Sequence, residues 1–262
     1  EVRTLLLQGH GTRPGDMVTA SADVWRDQVR NHFVALSQDV DRAFIGGFSL
    51  GGALATDYAL SEAGPRPAGL IAVAPAWQLN GLRDYLWLAP IADVFADFVE
   101  KEPELNPVKY ESFSFNAGSQ IGDVISAAQN RIIQQERIDM PLFLAATEAD
   151  SVINLEFLVT QFRERFSNSG NAMVIFRDTR TPWPDAQADE RIRFLNSYLP
   201  DANILEFSHQ SLLVAPDNEL YGLGAPLQRC LEPNNISLEG CRQLPQDDLW
   251  FSAWHDTERP VY

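Results

Sequence analysis

Residues 46–54 read GGFSLGGAL. Within it Gly47, Phe48, Ser49, Leu50 and Gly51 spell G-x-S-x-G. The bare pattern arises easily by chance, so its context matters: an apolar run, AFIGGF (43–48), precedes it, and a small-residue helical pattern, ALATDYAL (53–60), follows. A serine presented on a strained strand-to-helix turn needs small flanking residues, because the two backbones approach closely there. The helix N-terminus behind it favours negative charge developing nearby. Ser49 is therefore the candidate nucleophile. The bland alternative is a Gly-rich turn that only packs a helix onto a sheet.

A serine hydroxyl is a weak nucleophile at neutral pH, so a base and an orienting acid must follow it, in the chain order Ser, Asp/Glu, His. PLFLAATEADSVIN (141–154) supplies an apolar strand followed by Asp150, with Glu148 two positions earlier. The loop position favours Asp150 as the acid, with Glu148 as its rival and a solvated or helix-capping carboxylate as the bland reading. NILEFSHQSLLVAPDN (203–218) puts His209 directly after another apolar run, where the base belongs. The competing reading is an ordinary surface-loop histidine. His10 and His32 precede the serine, His255 has no clear strand before it, and Asp217 follows His209 on the wrong side for the usual order.

The wider chain alternates apolar strands with amphipathic helices, the pattern of a mostly parallel α/β sheet covered on both faces. Strands are expected over 4–8, 43–48, 69–74, 142–146, 173–176 and 203–207. In ADVWRDQVRNHFVAL (22–36), Trp25, Val29, Phe33 and Leu36 share one helical stripe, and a helix is expected near 155–166. From 78 to 138 two helical stretches flank a turn-rich NPVKYESFSFNAG (106–118), too long for an ordinary loop. It reads as a cap inserted between core segments 1–77 and 139–262, with Trp77 and Trp87 as candidate walls of an acyl pocket. A Pro/Asp-rich linker is expected over 179–190 and an irregular tail over 217–262.

Composition trims the list of functions. The 262 residues carry a net charge of −16, which argues against nucleic-acid binding and anionic membranes. No apolar run is long enough to span a bilayer, and the first residues do not form a signal peptide. Cys230 and Cys241 bracket the turn-rich CLEPNNISLEGC. A disulfide there is favoured over free thiols and would imply a periplasmic or secreted location, with a cytoplasmic one as the alternative. Too few ligands surround the cysteines for a metal site.

Through QGHGTRPGDM, the Trp25 helix, GFSLGG, KYESFSFNA, ATEADSVIN and FSHQSL, the chain resembles bacterial α/β-hydrolases of the carboxylesterase and monoacylglycerol-lipase type over nearly its whole length. The resemblance implies an α/β-hydrolase fold with a helical cap and a Ser49, His209, Asp150 triad. It also implies a small-molecule ester substrate and no cofactor, and the aromatic residues of the expected cap favour short or medium acyl chains. Related serine aminopeptidases keep the triad and cut amides, and a hydrolase-fold protein that only binds a ligand is the third reading. In such esterases the Leu50 N–H is one oxyanion donor. The spacing from His10 to Ser49 suits the later of two Gly-containing turns, so the strand and loop supplying the second donor are expected to lie outside the sequence. The rival assignment makes the backbone N–H of His10 that donor.

Overall fold

A computed structural model describes residues 2–81, 97–101, 103–104, 106–180, 182–183, 189–202, 204, 206–222 and 225. The strands, numbered along the chain, are β1 (Ile45–Phe48), β2 (Leu70–Val73), β3 (Phe98–Glu100), β4 (Phe113–Ser114), β5 (Leu142–Thr147), β6 (Ala172–Arg177) and β7 (Ile192–Asn196). The α-helices are α1 (Ala22–Asp39), α2 (Leu50–Ala59), α3 (Phe115–Ile133) and α4 (Leu155–Glu164). A parallel sheet runs in the order β1-β2-β5-β6-β7, and β3 pairs with β4 in a separate antiparallel ribbon.

Parallel neighbours need long crossovers, and helices fill that role here. Helix α2 connects β1 to β2, α3 lies on the path from β2 to β5, and α4 connects β5 to β6. Gly47 and Gly52 let α2 start directly on the end of β1: a Cβ on Gly47 would lie 2.2 Å from the Gly51 backbone, and one on Gly52 would meet Pro75 at 2.8 Å. The strands alternate as their register demands, with Leu70, Ala72, Leu142 and Leu144 buried in the core while Ile71 and Phe143, partners across the sheet, are exposed.

The helices are fixed by ordinary local chemistry. Ser114 caps α3 by accepting from the Ala117 N–H, and Asn154 caps α4 by accepting from the Phe157 N–H, both at 3.0 Å. On α1, Trp25, Val29 and Phe33 are buried, as their spacing predicts. Asp57 of α2 is buried between Arg26 of α1, at 2.9 Å, and Arg131 of α3, and these contacts bind the three helices together.

Two strand expectations change. Residues 4–8 do not form a strand, because their backbone groups pair with α1: the Gln8 N–H donates to Gln28 Oε1 at 2.9 Å and the Gln8 carbonyl accepts from Trp25 Nε1 at 2.9 Å. Of residues 203–207, Ile204 makes only an isolated antiparallel bridge to Leu199. Strand β7, by contrast, was not expected from the sequence. The second helix of the expected cap, α3, packs on α1 and α2, and Val124, Ala128 and Ile132 enter the common core.

Candidate active site

Ser49 sits between the end of β1 and the first turn of α2 with φ 52° and ψ −120°. A side-chain-bearing residue avoids positive φ, and the strain is held in place by the surrounding hydrogen bonds. The Ser49 N–H donates to the Val73 carbonyl at 3.0 Å, and the Ser49 carbonyl accepts from Ala53 at 3.1 Å and Ala76 at 2.9 Å. Leu50 follows as the first residue of α2. Its N–H has no intrahelical acceptor and stands at the positive end of the helix dipole.

His209, far along the chain, brings its Nε2 to 3.0 Å from Ser49 Oγ. Its Nδ1 lies 2.7 Å from Asp150 Oδ2. Both Asp150 and His209 are buried. The remaining Asp150 oxygen, Oδ1, accepts from the N–H groups of Val152 at 2.8 Å and Ile153 at 2.9 Å. With Oδ1 committed to the loop, Oδ2 faces the imidazole. The His209 ring also packs on the Phe48 ring, centroids 4.8 Å apart.

Glu148, the alternative acid, is taken by another partner: Arg177 Nε donates to Glu148 Oε2 at 3.1 Å. Sequence reading missed Thr147, whose hydroxyl donates to the Phe207 carbonyl two residues before His209, tying the histidine segment to the end of β5. A polar residue closing the apolar run 142–146 is the only signal of this in the sequence.

Two expectations are corrected here. The His10 N–H donates to the Leu7 carbonyl at 3.0 Å inside a tight turn, so it is not free for an oxyanion. Trp77 is fully buried, stacks on Phe166 with centroids 5.5 Å apart and donates its Nε1–H to Thr56 Oγ1 at 2.9 Å, so it is a core residue and not a pocket wall. Trp87, Cys230, Cys241 and His255 lie outside the described residues. Among the described residues no three His, Cys, Asp or Glu side chains gather as metal ligands, and no helix is long and apolar enough to cross a membrane.

No family model matches the chain, and no curated protein matches it. Solved structures do. One, described under the metagenome-derived lipolytic enzymes LipS and LipT, aligns with a TM-score of 0.55 and 17% identity over 66% of this chain and 70% of that one. A monoacylglycerol lipase from Paleococcus ferrophilus aligns at 0.44 and 19%, over 58% of this chain and 65% of that one. A soluble variant of monoglyceride lipase from Saccharomyces cerevisiae aligns at 0.48 and 14%, over 64% and 66%. The chain thus spans a little under two thirds of those two lipases. The parallel sheet, the serine on its sharp turn and the similarity to the first of these structures lead to one conclusion: this chain has the α/β-hydrolase fold.

Proposed function

We propose that the protein is a serine hydrolase acting on carboxylic esters, with Ser49 as nucleophile, His209 as general base and Asp150 as the residue that orients the imidazole. The observation that carries this reading is the unbroken line of contacts from Ser49 Oγ to His209 Nε2 at 3.0 Å and from His209 Nδ1 to Asp150 Oδ2 at 2.7 Å. Asp150 accepts the Nδ1–H, which leaves Nε2 with its lone pair toward the hydroxyl. As Ser49 Oγ attacks the acyl carbon, its proton passes to Nε2. The carbonyl oxygen gains the negative charge, which the Leu50 N–H and the α2 dipole stabilise. Collapse of the intermediate expels the alcohol, protonated from Nε2, and leaves an acyl group on Ser49. Water then attacks that ester with His209 again as base, releasing the acid.

The similarity to a structure described among lipolytic enzymes favours a small ester over an amide as the substrate. A p-nitrophenyl ester series of short and medium acyl length, run beside aminoacyl anilides, tests the choice of bond. Ester turnover that disappears in Ser49→Ala is expected. Cleavage of anilides alone overturns the ester reading, and no turnover of either leaves only a binding role.

A further inference from the structure

The segment just after β2 is bonded to both ends of the candidate triad. At one end the Ala76 N–H donates to the Ser49 carbonyl at 2.9 Å. At the other, residues 78–80 run antiparallel to 152–154: Asn154 N–H donates to the Gln78 carbonyl at 3.0 Å, and Asn80 N–H donates to the Val152 carbonyl at 2.9 Å. A bridge joins Leu79 to Ile153 between them. Asn80 adds its side chain, with Nδ2 donating to the Asp150 carbonyl at 3.2 Å and to the Ile153 carbonyl at 2.9 Å. Asn154 Nδ2 donates in turn to Gln78 Oε1 at 2.9 Å. Between the two ends Trp77 pins the segment to α2 and to Phe166.

We infer that residues 76–80 act as a splint between nucleophile and acid, and that Asn80 is a positioning residue for Asp150. This rests on the serine-hydrolase reading above. The physical reason lies in what fixes Asp150. Its carboxylate is aimed by the two N–H groups of its own loop, so the aim is only as good as the backbone from 150 to 153 is rigid. The carbonyls of Asp150 and Ile153 both accept from Asn80 Nδ2 and would need water in its place. One amide side chain has two hydrogens, which matches the two acceptors. Asn80 touches neither Ser49 nor His209. It acts through the backbone that carries the acid, as supporting residues around a reacting constellation do.

The test is a double-mutant cycle between Asn80 and Asp150, read as the rate of Ser49 modification by a fluorophosphonate and as kcat and KM on a p-nitrophenyl ester. In the wild-type background Asn80→Ala is expected to lower kcat and the labelling rate about tenfold, with KM nearly unchanged, at temperatures where the variant remains folded. In the Asp150→Asn background the same change is expected to cost nothing further, because the group it aims is no longer a carboxylate. Asn80→Ser, which keeps one donor, is expected to restore part of the rate. Amide hydrogen exchange at Val152 and Ile153 is expected to quicken in Asn80→Ala. An equal loss in both backgrounds, or unchanged rate and exchange, overturns the positioning role. An inert, folded wild type overturns the hydrolase reading, a result separate from either of those.

Discussion

Arg177 and Glu148 form an ion pair at the end of the sheet, Nε to Oε2 3.1 Å, with the guanidinium almost fully buried. The Arg177 guanidinium also lies 5.3 Å from the centroid of the Trp183 ring. Two carboxylates therefore stand two residues apart at the end of β5, and each has its own partner: Arg177 for Glu148, His209 for Asp150.

The pairing separates two variants. Asp150→Asn is expected to lower kcat by about 10³–10⁴, because an amide cannot hold the imidazole in the tautomer that accepts the serine proton. Glu148→Gln is expected to leave kcat within a few fold and to lower stability by about 1–3 kcal/mol, since it removes the charge from the acceptor of the buried Arg177 Nε–H. Steady-state kinetics and urea unfolding on both variants check this, and a larger kinetic loss in Glu148→Gln would reverse the assignment.

Asp57 offers a test of the helix layer. It accepts from Arg26 and Arg131 while itself 3% exposed, and its two partners retain some contact with solvent. Asp57→Ala is expected to cost about 2 kcal/mol, less than the figure for breaking a fully buried pair, because the arginines can rehydrate. Equilibrium unfolding with and without added salt measures it. A neutral result would mean that desolvation of the carboxylate already cancels the attraction.

Trp77 separates a core role from a pocket role. As a fully buried residue stacked on Phe166, Trp77→Ala is expected to cost about 3–5 kcal/mol through the cavity it leaves. Trp77→Phe keeps one aromatic ring but loses the pyrrole part of the indole and its bond to Thr56, for about 1–3 kcal/mol. Ester chain-length preference should be unchanged in Trp77→Phe. A shifted preference with unchanged stability would return this residue to the pocket.

Acid sensitivity should carry a contribution from Asp189. The hydrogen bond from the Arg191 side chain holds the Asp189 carboxyl below its ordinary value, with burial opposing the effect. A carboxylate whose folded pKa is depressed contributes stability that is present above its unfolded value, about 3.9, and lost as pH falls through the lower folded value. The stability gap between wild type and Asp189→Asn is therefore expected to narrow from about pH 5 downward. Urea midpoints across that range read it directly, and a gap constant with pH would contradict the role.

Much of the candidate site was legible because each of its members follows an apolar run: Ser49 after 43–48, Asp150 after 142–146, and His209 after 203–207. The choice between Asp150 and Glu148 was less so, since it depends on Arg177, 29 residues from Glu148 and on a neighbouring strand. Trp77 looked like a pocket wall because it stands just past a strand end. Its stacking partner Phe166 comes from a segment that local pattern does not connect to it. Residues 4–8 have the composition of a strand, yet Gln28 and Trp25 take up their backbone groups, and only a tertiary contact could reveal that. Strand β7 was hidden for the opposite reason. It is an edge strand in which only Ile192 is buried, and IRFLN has no strict alternation of apolar and polar residues to mark it.

Whether Ser49 is a nucleophile activated by His209 can be read from intact-mass analysis after treatment with a fluorophosphonate. A single adduct is expected on the folded protein, mapped to Ser49, absent in Ser49→Ala and formed far more slowly in His209→Ala. A folded protein that takes up no adduct, or takes it up equally well in Ser49→Ala, would contradict it.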